Sequence, residues 1–308
     1  MPYDLAIIGG GPAGVSAAVY AARKRIKTVL ITDDWGGQSS VSPEIQNWIG
    51  EVAISGAELA KRLRAHAESY AGDWLTIHAP HRVTAINMQN REFCMTMSND
   101  KLCSAKTLLI ATGANRRKLE IPGAKEYDQK GLTYCASCDG PLFADQDVAI
   151  VGGGNAAFET AMQLLAYCKS VTLFNRGDSF RADELTVEKV LKDSKMHVLK
   201  NVALVAVEGE KFVTGLRYKD ALGTERTLAV SGIFVEIGLI PNTDWLGELV
   251  ELNEVKQVVT DPRTQKTSHP QIWAAGDVTN GLYHQNNIAS GDAVKALEDI
   301  YLYLHSQK

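Results

Sequence analysis

Two cysteines separated by two residues, Cys135 and Cys138, offer the clearest chemistry in this 308-residue sequence. Such a pair places two sulfur atoms within bonding reach and serves as half of a zinc site, as inert buried thiols or as a redox dithiol. The sequence has no second pair of cysteines or histidines at zinc-ligand spacing, so we expect no metal site. Asp139 follows at once, and its carboxyl group could move the protons that accompany electron transfer. The pattern favours a redox centre formed by Cys135, Cys138 and Asp139.

Two glycine-rich segments each follow a short apolar run and precede an alanine-rich stretch with helical spacing. Glycines in this setting allow a tight turn and the close approach of a pyrophosphate, which the N-terminus of the next helix attracts. One such segment alone could be a simple tight connection, but two in one chain predict a flavin dinucleotide and a nicotinamide dinucleotide. The candidate binding residues are Gly9, Gly11, Pro12, Ala13 and Gly14 in the first loop and Gly152, Gly154, Asn155 and Ala156 in the second.

The residues that would bind the ribose groups are less clearly marked. Asp33 or Asp34 could accept a ribose hydroxyl beside the first loop, and either could equally be a solvated loop carboxylate. The matching position of the second repeat has no carboxylate. Arg176 could bind a 2′-phosphate through its guanidinium group, with Arg181 assisting.

Helices and strands must hold these residues in place, and a degenerate internal repeat indicates where those helices and strands lie. Residues 4–14 are echoed by residues 147–157, and each copy reads as a buried strand, a glycine loop, a helix and a second strand. Helices are predicted over 15–24, 156–168 and 290–304, and further strands over 28–32, 107–113, 170–174, 232–238 and 271–277.

Composition excludes several classes of protein. A net charge of −4 gives no basic surface for nucleic acid. No apolar run approaches the ~18–20 residues that span a bilayer, and no secretion signal is evident, so we expect no membrane association. Five cysteines form an odd set, in which Cys94, Cys103 and Cys168 lack a redox setting. A reducing cytoplasm is the expected location.

Together these motifs resemble the low-molecular-weight thioredoxin reductases over essentially the whole chain. They also resemble the flavoprotein portion of the alkyl hydroperoxide reductase F subunit, and the segment 138–143 is especially similar to that branch. We expect the extra N-terminal dithiol domain of that branch to be absent, because the chain begins directly at the first strand. Besides the dithiol and the two loops, the matching segments are 35–38, 46–50, 111–113, 238–243, 275–277 and Gln285.

The resemblance implies a role for each matching residue. FAD would lie on the first glycine loop, Cys138 would face the flavin, Cys135 would attack a partner disulfide, and Asp139 would be the acid–base residue. In such proteins the dithiol domain rotates relative to the FAD domain. The other implied cofactor-binding residues are Asp33, Gly37, Gln38, Asn47, Val83, Thr112, Gly113, Asp277 and Gln285.

The predicted fold is α/β, with two Rossmann-like, three-layer ββα dinucleotide-binding domains, the second inserted into the first. The FAD-binding domain comprises residues 1–115 and 245–308. Residues 116–244 form an NAD(P)H-binding-like domain that carries the dithiol. Pro122 and Pro241 lie in the two crossing segments and suit a hinge.

The sequence departs from the family at the nicotinamide site. The family's His-Arg-Arg cluster aligns with residues 175–177, where only Arg176 is kept. NADPH could therefore bind weakly, NADH could replace it, or another donor such as ferredoxin could deliver electrons. His284, before Gln285, could modulate the flavin or be a polar loop residue.

We therefore predict a flavin-dependent disulfide reductase, in first place a thioredoxin-disulfide reductase. Its partner would be thioredoxin, a glutaredoxin-like protein or a peroxidase adaptor, and it would form a homodimer as its relatives do. One alternative is a ferredoxin- or flavodoxin-linked reductase that uses the same dithiol. Another is a non-catalytic redox sensor that binds a dinucleotide and signals through the cysteines.

Overall fold

The chain crosses twice between two structural units. In the computed structural model, which describes residues 2–42 and 44–306, unit 1 comprises Met1–Asn115 and Ile240–Lys308, and unit 2 comprises Arg116–Leu239. The second boundary predicted from the sequence follows Asp244, whereas the units divide after Leu239. The difference arises because Asn242 is hydrogen-bonded into unit 1, where its N–H donates to the Gly113 carbonyl over 3.0 Å.

Unit 1 is built on a seven-stranded sheet with the strand order β3-β2-β1-β6-β5-β4, in which β17 also pairs with β6. Its strands are β1 (Tyr3–Ile8), β2 (Thr28–Ile31), β3 (Leu75–His78), β4 (Val83–Gln89), β5 (Glu92–Met97), β6 (Leu102–Ile110) and β17 (Ile272–Ala274). Its helices are α1 (Pro12–Arg23), α2 (Gly56–Glu68) and α6 (Asn286–Ser306). The pairs of β1 with β2 and β6 are parallel, whereas β4, β5 and β6 form an antiparallel meander.

The core of unit 1 lies on both faces of this sheet. Strand β1 is an apolar run because a central parallel strand is covered on both sides. On one face α1 packs against α6 through small residues, and Ala17, Ala21, Ala293 and Ala296 are fully buried. On the other face, β1 and β2 pack against side chains of β4 and β5 and against Leu246, Val250 and Val258. This packing fixes the positions of β1 and α1, which the loop at residues 9–11 connects.

Unit 2 repeats this design on a smaller scale. Its five-stranded sheet has the order β11-β10-β9-β15-β8, and a separate three-stranded sheet has the order β12-β13-β14. The strands of the first sheet are β8 (Leu132–Thr133), β9 (Asp147–Val151), β10 (Ser170–Asn175), β11 (Met196–Lys200) and β15 (Gly232–Val235). Those of the second sheet are β12 (Ala203–Gly209), β13 (Val213–Lys219) and β14 (Glu225–Ala229). The helices are α3 (Ala136–Asp139), α4 (Asn155–Leu165) and α5 (Glu184–Leu191).

The parallel sheet of unit 2 separates two clusters of buried side chains. One contains Phe158 and Leu164 of α4, and the other contains Val207 and Leu216 of the antiparallel sheet. Helices, parallel sheet and antiparallel sheet are the three layers of the predicted ββα arrangement. The α/β fold class with two Rossmann-like units is thereby confirmed. Two short strands, β7 (Ala114–Arg116) and β16 (Leu239–Pro241), pair with each other where the chain crosses between the units.

The helices differ from their predicted bounds by a few residues. α1 begins at Pro12 rather than at residue 15, because the fixed φ of proline suits the first helical position. α4 ends at Leu165, short of the predicted 168, and α6 begins at Asn286, before the predicted 290. Within the described ranges, no helix combines the length and the apolar character that crossing a membrane requires.

Candidate functional site

The first glycine loop connects β1 to α1, and two of its glycines are required by the protein itself. Gly9 has a positive φ of 117°, and a Cβ there would come within 3.0 Å of the Ala111 carbonyl. A Cβ on Gly14 would come equally close to the carbonyl oxygen of Gly9. These glycines therefore allow the turn to close against β6 and α1 to start directly above it.

Gly11 serves a different purpose, because among the described residues no atom comes closer than ordinary van der Waals contact to the space beside it. A Cβ on Gly11 would lie 3.9 Å from the backbone of Gly37, which faces it from the next loop. Gly11 is also the N-cap of α1, and no side chain caps that helix end. The uncapped helix N-terminus and the gap between two glycines form a cradle that suits a pyrophosphate.

The second glycine loop connects β9 to α4 and repeats the same pattern. A Cβ on Gly152, whose φ is 146°, would come within 3.0 Å of the Glu236 carbonyl. A Cβ on Gly153 would collide with the amide of Asn175, whereas one on Gly154 would lie 3.7 Å from the Arg181 carbonyl. α4 also starts without a side-chain cap. Unit 2 therefore has a second, equivalent cradle.

The segment after β10 folds back onto this second cradle. The Arg181 N–H donates to the Gly153 carbonyl over 2.8 Å, and the Asp183 N–H donates to Asn155 Oδ1 over 2.8 Å. Both Arg176 and Arg181 are exposed. Asn175 is buried, and its amide donates to the Gly177 and Ser179 carbonyls over 2.9 and 3.0 Å. The loop thus presents arginines to solvent beside the cradle, while the amide of Asn175 holds its shape.

Several residues predicted to lie near the flavin are brought together in unit 1. The Asn47 amide donates to Gln285 Oε1 over 3.1 Å, although the two are far apart in sequence. Gln38 Nε2 donates to the Ala114 carbonyl, and Thr112 Oγ1 donates to the Asn242 carbonyl over 2.9 Å. His284 Nε2 is buried without a hydrogen-bond partner among the described residues. A buried ring nitrogen in this state suits a polar ligand atom.

The remaining predicted residues of unit 1 are distributed over several of its elements. Gly276 packs against α1, since a Cβ on it would lie 3.4 Å from Ala13 Cβ, and Asp277 follows half-buried. Val83 is buried at the start of β4. Asp33 is exposed, and burial together with the charge of Asp33 raises the pKa of Asp34 above its ordinary value. Neither aspartate is singled out as the ribose ligand.

The Cys135–Cys138 pair forms a disulfide at the start of the short helix α3, with the two Cα atoms 5.3 Å apart. The N–H groups of Cys138 and Asp139 donate to the Cys135 carbonyl over 3.3 and 3.0 Å. Both cysteines are half-buried. The bridge is therefore held on one tight turn and is partly open to a reactant.

Asp139 is buried next to this bridge and is joined to it through Thr133. Thr133 Oγ1 donates to Asp139 Oδ2 and accepts the Cys135 N–H over 3.2 Å. Burial raises the pKa of Asp139, while the Thr133 hydrogen bond and the charge of Arg116 act in the opposite direction. A carboxyl with a raised pKa beside a disulfide is suited to give and take protons.

Thr133, Arg116 and Glu236 were not identified from the sequence. Glu236 lies just after β15, where Thr160 Oγ1 donates to its Oε1 over 2.9 Å. Burial raises the pKa of Glu236 to about 7. The sequence does contain one indication of Glu236, namely a carboxylate inside the apolar run 232–238. A carboxylate in such a run is unusual unless it has a partner or a function.

The fold and the site together define a dinucleotide-binding disulfide oxidoreductase. Residues 3–293 match the family described as pyridine nucleotide-disulphide oxidoreductase, and the chain belongs to that family. FAD is the cofactor of these enzymes, and the cradle at Gly11 with the unpaired ring nitrogen of His284 fits it.

Known proteins agree with this assignment. The chain is 33% identical to thioredoxin reductase from Streptococcus pyogenes, with a TM-score of 0.88 over 99% of this chain and 98% of that one. For thioredoxin reductase from Giardia duodenalis the identity is 31% and the TM-score 0.92, over 98% and 99%. The alkyl hydroperoxide reductase F subunit from Staphylococcus aureus is 40% identical over 304 residues. Those residues are 98% of this chain but only 59% of that protein.

Alanine substitutions at Gly11 and Gly14 are expected to separate cofactor binding from folding. Gly11→Ala should fold normally and lose most of its FAD, because the added methyl fills the cradle but comes no closer than 3.9 Å to any described atom of the protein. Gly14→Ala should instead lower the free energy of unfolding, by an amount on the order of 2 kcal/mol, because its methyl collides with the Gly9 carbonyl. Flavin absorbance per chain and thermal unfolding of both variants measure the two effects. Equal FAD content in Gly11→Ala and the wild type would contradict the placement of FAD.

Proposed function

We propose that this protein is a flavin-dependent disulfide reductase that passes electrons through Cys135 and Cys138 to a disulfide in a small protein. The observation that carries this proposal is the half-buried disulfide held beside the buried carboxyl of Asp139. A non-catalytic sensor would not need an acid–base group at that position. FAD, when bound, supplies the two electrons that convert the disulfide into a dithiol.

The reduced cysteines then carry out thiol–disulfide exchange. On the basis of the family resemblance, we assign the attack to the thiolate of Cys135. It forms a bond to one sulfur of the partner disulfide, and the other partner sulfur leaves as a thiolate that takes up a proton. Cys138 next attacks Cys135, restoring the internal disulfide and releasing the second partner sulfur. The partner gains two electrons and two protons, and the dithiol loses them.

Asp139 is the proton-handling group in this scheme. Burial raises its pKa above that of an ordinary aspartate, so the carboxyl holds a proton more readily and can pass it on. Thr133 orients it, because the threonine hydroxyl donates a hydrogen bond to Asp139 and accepts one from the backbone N–H of Cys135. Asp139 would take the proton of the attacking thiol and return it to the thiolate that leaves.

The partner that we propose first is thioredoxin or a glutaredoxin-like protein. The thioredoxin reductases from Streptococcus pyogenes and Giardia duodenalis, whose structures match nearly the whole of this chain, support it. A second candidate is a peroxidase, favoured by the 40% identity to the alkyl hydroperoxide reductase F subunit. The chain spans 59% of the length of that relative. We also propose a cytoplasmic homodimer.

The electron donor is proposed to be a nicotinamide dinucleotide bound at the second cradle. Gly152, Gly154, Asn155 and Ala156 would hold its pyrophosphate, and the exposed Arg176 and Arg181 would meet a 2′-phosphate if the donor is NADPH. Reduced ferredoxin is the alternative donor, because two of the three residues in the family's phosphate-binding cluster are replaced here.

Anaerobic reduction with NADPH, NADH and reduced ferredoxin in parallel tests the function and identifies the donor. Loss of the flavin absorbance, followed by reduction of oxidised thioredoxin or of an oxidised peroxidase, is the expected result. Gly154→Val is the matched variant, because its side chain would fill the second cradle and leave the first unchanged. It should block reduction by a nicotinamide donor and spare reduction by ferredoxin. If no donor bleaches the flavin, the proposed function is wrong.

A further inference from the structure

The loop that follows β10 is tied by hydrogen bonds to the end of the neighbouring strand β11. In the parallel register of the two strands, Asn175, at the end of β10, pairs with Lys200, at the end of β11. The Asn201 N–H donates to the Gly177 carbonyl over 3.2 Å, and the Asn175 amide donates to the same carbonyl over 2.9 Å. The loop after β10 and the last residue of β11 are therefore held side by side.

Lys200 places its ammonium group on this loop. Its Nζ lies 4.6 Å from the centroid of the Phe180 ring, and that ring packs edge-on against Phe158 of α4, with 4.9 Å between the centroids. An aromatic ring attracts a cation placed over its face. Lys200 is exposed, and no carboxylate among the described residues forms an ion pair with it. Its charge is therefore held at the loop and is available to an anion.

The end of β10 is the place where a dinucleotide-binding unit of this kind distinguishes NAD from NADP. A carboxylate there accepts the 2′-hydroxyl of the adenosine ribose, whereas an arginine there binds a 2′-phosphate. The loop has two exposed arginines, Arg176 and Arg181, and a Cβ on Gly177 would come no closer than 3.9 Å to any described atom. Asp178, the carboxylate between the two arginines, accepts the amide of Asn201 over 3.4 Å. The loop thus combines cations with open space.

We propose that Lys200 binds the 2′-phosphate of NADPH together with Arg176, and that it is a specificity-determining residue for the electron donor. The inference rests on the proposed function in one respect, namely that a nicotinamide dinucleotide binds at the second cradle. Arg176 and Lys200 stand at the ends of neighbouring strands, which run about 4.8 Å apart. A phosphate between them accepts charge-assisted hydrogen bonds from a guanidinium and from an ammonium group. NADH has a hydroxyl at that position and gains nothing comparable from Lys200.

The binding of two nucleotide fragments tests this inference without any turnover. Adenosine 2′,5′-bisphosphate has the 2′-phosphate and 5′-AMP lacks it, and calorimetry on FAD-loaded protein measures both while the first cradle is filled. Lys200→Gln should weaken binding of the bisphosphate by about tenfold and leave binding of 5′-AMP unchanged. Lys200→Arg, which keeps the charge, should retain most of the affinity. Lys169→Gln makes the same charge change before the start of β10, where Lys169 pairs with Asp147 over 2.8 Å, and should change neither affinity.

Two results would overturn the proposal, namely equal affinity of the wild type for the two fragments or an unchanged preference for the bisphosphate in Lys200→Gln. Neither result would contradict the proposed function, because NADH or ferredoxin could still reduce the flavin. The opposite failure is also recognisable. A protein whose preference for the bisphosphate is lost in Lys200→Gln, but whose flavin no donor reduces, would support the role of Lys200 and refute the proposed function.

Discussion

Replacement of Cys135 by serine is expected to abolish reduction of a protein disulfide, by roughly 10⁴-fold or more. The hydroxyl of serine cannot form the mixed disulfide that the exchange requires, and it leaves Cys138 without a bonding partner. FAD should stay bound at full occupancy, because its proposed cradle lies in unit 1 and Cys135 lies in unit 2. Turnover with oxidised thioredoxin and flavin absorbance per chain are the two measurements.

Cys94→Ser is the matched control for this substitution. Cys94 is half-buried in unit 1 and forms no disulfide, so the same chemical change should leave turnover unaffected. Cys138→Ser supplies the complementary result. It keeps the attacking thiol but cannot resolve the mixed disulfide, so a covalent complex with the true partner should accumulate. Normal turnover by Cys135→Ser would rule out the exchange scheme.

Replacement of Asp139 by asparagine is expected to slow turnover by roughly 10²-fold and to change its pH dependence. Because burial raises the pKa of Asp139, the carboxyl keeps its proton to a higher pH than an ordinary aspartate. Wild-type turnover should therefore fall as the pH rises through that pKa, if proton donation limits the rate. The asparagine variant, which cannot ionise, should lose this decline. Steady-state rates with a saturating disulfide partner over a pH series provide the measurement.

Asp128→Asn provides the control for the aspartate substitution. Asp128 is also in unit 2, but it pairs with Lys118 over 2.7 Å at the surface, so its loss should change neither the rate nor the pH profile. A pH profile in Asp139→Asn that is parallel to that of the wild type would show that another group carries the proton.

The parts of the site that could be predicted from the sequence are those set by local chemistry. The two glycine loops and the dithiol are short segments in which residue type and spacing alone dictate the turn. The open space beside Gly11 and Gly154 could not be distinguished from the filled space beside Gly9 and Gly152. That difference depends on neighbours such as Gly37 and Glu236 that other strands bring in.

Contacts between distant segments could not be predicted from the sequence for the same reason. The Asn47–Gln285 hydrogen bond joins the loop before α2 to the start of α6, and only the packed helices fix that distance. The antiparallel sheet β12-β13-β14 was also missed. Much of its surface is exposed, so its strands lack the continuous apolar runs that marked β1 and β9.

The paired strands at the crossing give unit 2 the properties of a detachable module. The Arg117 N–H donates to the Gly238 carbonyl over 3.0 Å, so the first and last residues of this module lie side by side. In unit 1, the Asn242 N–H donates to the Gly113 carbonyl. The end of its first segment therefore also lies beside the start of its second segment. Unit 2 is already one continuous segment, and a short graft between Asn115 and Ile240 would make unit 1 continuous as well. Such insertion points are where whole segments are gained or exchanged with little disturbance to the host.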